Sequence, residues 1–334
     1  MQIKRKALYN LLRMNWLQDS TVEVEPWQVE DYRSLSEEEL FDRLESLDLK
    51  LDRQTFVAYA ADYDTPEELA DDLVSEEEDP RHQDRVFLCI FELWRRFVYD
   101  KPCFSIFCDE LDRQINLYDR DELKNRESIH DVLARLEAVL DENVDEGGDP
   151  QEVFDLISAG CANDVEGFLY DFIAEQIDHE NFGFAAELID GFYEYVQDSL
   201  RFDFLRTRLV AEIDPTEANL LLRSLVTAVE QDKDLDLKME MLSFLAGGGQ
   251  CELFVVLGQQ VIPLLKKEED FQDLLAICIH FYRCLDHDQE EQRIQKIIDK
   301  RADYNPSDSI NAQDSDIISL SKLMECSGRP SSNV

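Results

Sequence analysis

Four times in this chain a capping residue is followed directly by proline at the head of a segment with helical apolar spacing: Thr65-Pro66, Asp79-Pro80, Asp149-Pro150 and Asp214-Pro215. Proline is harmless at the first helical position, because the N–H it lacks would have no acceptor there. Three of these starts place glutamate at the third helical position, as Glu68, Glu152 and Glu217. A fifth start, Ser36-Glu37-Glu38-Glu39, is a capping box with Leu35 and Leu40 placed as its hydrophobic staple. Leu40, Phe41, Leu44 and Leu47 then fall on one helical face. With only 11 glycines and 9 prolines there is little material for the tight turns of a sandwich or barrel. The fold class expected is all-α.

The same periodicity organises the rest of the chain. A helix from Pro80 to about Tyr99 would bury Val86, Phe87, Ile90, Trp94, Phe97 and Val98. The next, Phe104 to Tyr118, would pack antiparallel to it, and a third would run from about Asp121 to Leu140. Residues 1–140 read as an N-terminal helical domain and 141–150 (DENVDEGGDP) as an acidic linker. Further helices are expected near 151–160, 164–178, 181–196, 199–212, 215–230, 234–246, 250–265, 269–285 and 288–301. Pro263 should kink or end the seventh of these, and Gly247-Gly248-Gly249 falls where a turn between helices is expected. Residues 302–334 read as a polar, mostly disordered tail with one short helix near 315–324.

Every second helix of the later half, at Asp164, Ser199, Asp234 and Glu269, begins about 35 residues after the last, the period of helix-hairpin repeats. Small residues stand at second-helix positions in two of them, Ala185-Ala186 with Phe192 and Ala218 with Ala228. On these features residues 151–301 resemble a degenerate tetratricopeptide-type repeat. The resemblance implies antiparallel hairpins stacked as an α-solenoid around a concave groove. The aromatic–Leu–Gly opening of that family is missing, and an irregular helical bundle is the alternative.

Charge narrows the partners. With 75 acidic against 33 basic residues the formal net charge is −42, a field that repels phosphate backbones and anionic membranes and attracts basic surfaces. No stretch approaches the roughly 20 apolar residues of a membrane span. The basic start Lys4-Arg5-Lys6 leads into a segment broken by Asn10, Arg13 and Asn15, which suits an amphipathic helix better than a signal peptide. Eight cysteines without paired C-x-x-C spacing lie mostly in apolar runs, as expected of free thiols in a cytoplasm.

Candidate sites are few. Asp141, Asn143, Asp145 and Glu152 stand at positions one, three, five and twelve of an EF-hand-like calcium loop. Glu146 occupies the sixth position, where the turn needs glycine, and Pro150 intrudes. His280, Cys284 and His287 share one helical face and would need a fourth ligand from elsewhere to hold zinc. His130-Asp131 is a dyad of the metal-phosphohydrolase kind, but His82 and His179 lack the spacing such a site requires. No phosphate loop, dinucleotide fingerprint or nucleophile elbow is present, and no cofactor is implied. Two segments could meet a partner. One is the first helix, with Leu8, Leu11, Leu12 and Trp16 beside Lys4, Arg5, Lys6 and Arg13. It reads as a helix docked on the acidic body, or as a detachable segment that inserts into a partner. The other is the acidic run Glu76, Glu77, Glu78.

The function expected is that of a non-enzymatic interaction scaffold, an adaptor or chaperone-like protein. An acidic groove would take basic protein segments or amphipathic helices, with no direct contact to nucleic acid or membrane. The alternatives are an acidic mimic that blocks nucleic-acid-binding proteins, and an enzyme whose site assembles from dispersed residues.

Overall fold

A computed structural model describes residues 4–75, 77–101, 103–123, 125, 127–248, 250–311 and 313–327. Among them are eighteen α-helices, three short 3-10 turns and one isolated β-bridge, so the fold is all-α. No helix is long and apolar enough to cross a membrane among the described residues. The chain forms two compact units, Met1–Phe172 with Gly191–Gln197, and Ile173–Asp190 with Asp198–Val334.

The first unit holds α1 (Arg5–Gln18), α2 (Pro26–Val29), α3 (Glu37–Ser46), α4 (Arg53–Ala60), α5 (Pro66–Leu73), α6 (Pro80–Phe97), α7 (Phe104–Asp119), α8 (Glu127–Asp145) and α9 (Pro150–Ser158). The caps act as their chemistry dictates. Ser36 accepts from the Glu39 N–H while Glu39 reaches back to the Ser36 N–H, and Thr65, Asp79 and Asp149 each accept from a first-turn N–H. Each such cap stabilises by about 1 kcal/mol. The unit is built around α6, in which Val86 through Trp94 are buried without interruption. A helix apolar on every side has to be enclosed, and α3 and α5 pack on it.

Two elements differ from expectation. α8 starts at Glu127 because Asp121, in the left-handed region (φ 55°), and the Glu122 N–H bonded to the Leu117 carbonyl first close α7. The segment 141–150, expected as a linker, is the last turn of α8, a tight stop and the cap of α9, all inside the first unit. Gly147 adopts φ +104°, the Gly148 N–H bonds the Asn143 carbonyl, and Asp149 accepts from the Gln151 and Glu152 N–H groups. Its glycines and acids are those of a helix end followed at once by a helix start.

The chain passes between the units within α10 (Val165–Asp178) and α11 (Phe182–Phe192). The second unit continues with α12 (Ser199–Ile213), α13 (Pro215–Ala228), α14 (Leu235–Gly248), α15 (Cys251–Val261), α16 (Glu268–Cys284), α17 (Asp288–Arg301) and α18 (Ser315–Ser327). α15 ends at Val261 in a 3-10 turn over Ile262–Leu264, as Pro263 predicts. Gly247 and Gly248 close α14, and Gly249 lies outside the described residues. Consecutive helices pair as α12 with α13, α14 with α15 and α16 with α17, while α14 packs on α16 and α13 on α15.

In the stretch expected as a mostly disordered tail, the short helix expected near 315–324 is present as α18, which builds the stretch in. Ser309 bridges to Lys267, the Glu268 N–H bonds the Asp308 carbonyl, and α18 packs on α15 and α17 with Ile317, Leu320 and Met324 buried. Its polar composition hid a small apolar face and two carboxylates, Asp314 and Asp316, that hold Arg301 at the end of α17. The Arg301 guanidinium holds Glu268 (2.9 Å to Oε1), Asp314 (2.9 Å) and Asp316 (3.0 Å).

Candidate functional site

In the first unit the inward face of α1 carries Lys6, Tyr9, Asn10, Arg13 and Leu17, at the spacing that keeps residues on one side of a helix. Opposite stands α7 with Asp109, Asp112, Arg113, Asn116 and Arg120. The two helices and the segment 28–33 enclose a cavity of about 290 Å³ with Leu88, Phe91 and Glu92 of α6 at its base. Five basic and six acidic side chains line it, where the chain as a whole has 33 and 75.

Three of these carboxylates are buried, and each is matched. Asp109 takes Lys6 (3.1 Å), Arg33 (2.5 Å) and the Asn10 amide (3.1 Å). Burial pushes its carboxyl up, but the Lys6 and Arg33 charges outweigh this and hold it well below the usual carboxylate range. Among the described residues Asp112 pairs with no cation. It accepts from Asn10 (3.0 Å), the Ala162 N–H (2.8 Å), the Asn163 N–H (3.0 Å) and the Asn163 amide (2.8 Å). Burial pushes its carboxyl above the ordinary value, and those hydrogen bonds only partly offset the shift. Glu92 is gripped by Arg95 and Arg96. Asn10 spends both amide protons on Asp109 and Asp112 and accepts from Lys6 (2.8 Å), so it staples α1 to α7.

Of the proposed partner-binding residues, Leu8 is 44% exposed, Leu11, Leu12 and Trp16 are half-buried, and Leu12 packs against the first unit's core. α1 is docked: Arg5 pairs with Asp84 (2.6 Å) and Asp71 (3.1 Å), and the Lys4 N–H bonds the Ala159 carbonyl. Glu77 and Glu78 are exposed in the turn before α6, folded back on Ser75; Glu76 lies outside the described residues.

The metal candidates do not converge. Asp141, Asn143 and Asp145 lie on α8 rather than on a loop, and Glu152 is in the first turn of α9. Asp141 accepts from the Tyr195 hydroxyl, and Asn143 donates to the Val139 carbonyl. In the second unit His280 and Cys284 are exposed with Nε2 and Sγ 3.7 Å apart, whereas His287 caps α17 and stacks on Tyr282. His130 meets the edge of Phe172 in the first unit, and His179 lies 3.7 Å from Glu175 in the second. Among the described residues no group of three or more His, Cys, Asp or Glu could hold a metal ion.

The second unit offers a surface. α14 is exposed at Asp236, Ser243, Gly247 and Gly248, and α16 at Asp273, Ala276, His280, Arg283 and Cys284. Asp236, Ser243 and Gly247 on α14, and Asp273, Ala276, His280 and Arg283 on α16, each form one stripe at spacings of three, four and seven. The cleft of the first unit escaped sequence reasoning. Its signal was Lys6, Asn10 and Arg13 on the face of α1 that also carries buried Tyr9, a polar line where an inward face should be apolar. Compared with protein families, characterised proteins and solved structures, the chain matches none.

Proposed function

We propose that this chain is a non-catalytic protein-binding scaffold, adaptor or chaperone-like, that takes basic or amphipathic segments of another protein on its second unit. In this reading α12 to α17 are a tetratricopeptide-like stack. The pairing of α14 with α15 and α16 with α17, with α14 on α16 and α13 on α15, supports that description. The observation that carries the proposal is the outward stripe of α14 and α16. Asp236 and Asp273 supply charge there, and Ser243, Gly247 and Ala276 leave room for a partner's side chains. Binding would proceed by electrostatic steering followed by burial of a few apolar anchors. Cys89, Cys103, Cys108, Cys161 and Cys278 are buried free thiols, which supports a reducing, cytoplasmic setting.

The test is capture of partners from lysate by the full chain and by an Asp236→Lys/Asp273→Lys variant, with elution by a salt gradient. Both sites are exposed, so the variant should fold as the parent does. The expected result is one or a few basic proteins, released as salt rises and lost from the variant. Partners displaced by added DNA would favour a nucleic-acid mimic instead, and equal capture by both chains would remove the stripe from the account.

A further inference from the structure

We propose that the cleft between α1 and α7 is a binding site for a small organic anion, a phosphate or carboxylate group carried on an aliphatic body. The cavity, about 290 Å³, matches the lower end of small-molecule sites, about 300 Å³. What distinguishes it is the state of its charges. The buried carboxylates at its base are already satisfied, Asp109 by Lys6 and Arg33, Glu92 by Arg95 and Arg96, Asp112 by amides. Glu30, also in the lining, is held by Arg43 in a two-pronged pair. Of the six lining carboxylates this leaves Asp31, in one weak pair with Arg13, and Glu122, exposed and without an ion pair among the described residues, to set against Arg13, Arg113 and Arg120.

Its cations are less committed. Arg113 and Arg120 are exposed, and among the described residues no carboxylate is paired with either. Arg85, Arg135 and Arg293 also lack a carboxylate partner among the described residues, so what sets Arg113 and Arg120 apart is their place in the lining of the cleft. Arg13 has a single 3.3 Å pair with Asp31, both about two-fifths exposed and hence weak. Three guanidinium groups, each with a planar fork that matches phosphate or carboxylate oxygens, thus line one cavity with donors to spare. Met14, Leu17 and Leu117 line it as well, and Leu17 is 45% exposed, a side chain with apolar surface to offer a ligand.

The ligand must be small. The net charge of −42 repels an extended polyanion over its whole length. A small anion inside the cleft feels mainly the groups within a Debye length, about 10 Å at 0.1 M salt. This site is independent of the protein-binding surface on the second unit.

The experiment is calorimetric titration of the full chain with hexyl phosphate, hexanoate and inorganic phosphate at low salt, alongside melting curves against sodium chloride of equal ionic strength. Hexyl phosphate should bind saturably and raise Tm beyond the salt control, with inorganic phosphate weaker by about tenfold. Arg113→Glu/Arg120→Glu should weaken hexyl phosphate by about tenfold or more and leave the unliganded Tm in place, since both residues are exposed. Leu17→Ser should erase the preference for hexyl phosphate over phosphate. Absence of saturable binding in the millimolar range, equal binding by the arginine variant, or stabilisation matched by sodium chloride would overturn the proposal. Equal affinity for phosphate and hexyl phosphate would overturn its aliphatic half.

Discussion

Arg301→Met is the substitution whose cost the structure fixes most directly. The guanidinium is 3% exposed and meets Glu268, itself 1% exposed, through two of its nitrogens. A third nitrogen spans Asp314 and Asp316, and Phe271 and Tyr304 cover the group at 4.9 and 4.7 Å. Methionine keeps the length and the apolar packing but removes every donor. Asp316 would still have Lys300 at 2.8 Å, and Asp314 is a quarter exposed, so neither dominates the loss. Glu268 would be left buried with Gln272 as its remaining side-chain donor (3.0 Å). Removing one partner of a buried pair costs about 3–5 kcal/mol, most of it the uncompensated charge left behind. We expect that loss at pH 7, read as a lower urea midpoint at unchanged slope by circular dichroism. Adding Glu268→Gln should recover at least half of it, because the double variant buries no bare charge. A loss below about 1 kcal/mol, the range of exposed pairs, or a double variant no better than the single, would refute the reasoning that Arg301 and Glu268 tie 302–324 to the second unit.

Three further outcomes follow from particular contacts. Asp112→Asn should destabilise by about 1–3 kcal/mol in thermal melts although it removes a buried charge, because with its oxygen kept for the Ala162 and Asn163 N–H groups its new NH₂ faces the Asn10 amide and cannot accept from it. Asp109→Asn should lower stability at neutral pH. The carboxyl is depressed in the fold, so its contribution is fully present above the unfolded value of about 3.9 and is lost only as pH falls below it. The gap between variant and parent should therefore stay constant from pH 7 to about 5 and close in acid, as measured by urea midpoints across pH. Gly258→Ala would put a Cβ 2.0 Å from Met324 Cε, inside the core that α18 completes. Overpacking of this kind costs about 1–3 kcal/mol, and Gly258→Ala/Met324→Ala should be less destabilised than the two single effects added together, a coupling read from urea midpoints.

How far the fold was legible depended on whether the signal was local. Helix starts that rest on a cap and a proline, such as Asp149-Pro150 and Asp214-Pro215, need nothing beyond four neighbouring residues, and α9 and α13 begin there. α4 escaped notice because only Phe56 and Ala60 are buried in its two turns, too few to show a period, although Asp52 caps it through the Thr55 N–H. α2 is a single turn. Composition misled where polar residues have structural work far away in sequence. The run 302–316 is rich in Asp, Asn and Ser, which reads as solvated chain, yet Asp314 and Asp316 are ligands of Arg301 and the backbone at Asp308 and Ser309 is paired.

The cleft was hidden for the same reason in sharper form. In a chain with 75 acids, Asp109 and Asp112 look like any other solvated face, and nothing near them in sequence reveals that Asn10, about a hundred residues earlier, bonds both. A buried carboxylate is tolerated only when its partners are in place, so Asp109 and Asp112 are legible as a site only after α1 is docked on α7. Acidic residues in such a chain are thus of two kinds that composition cannot separate. Many, such as Glu77 and Glu78, are exposed and add to the long-range field. A few, such as Glu92, Asp109 and Glu268, are spent on arginines inside the fold. The net charge describes the first kind, and the positions of Arg33, Arg95, Arg96 and Arg301 identify the second. Arg113 and Arg120 belong to neither pairing, and unlike Arg85, Arg135 and Arg293, equally unpaired among the described residues, they line the cleft, which is why they point to a ligand.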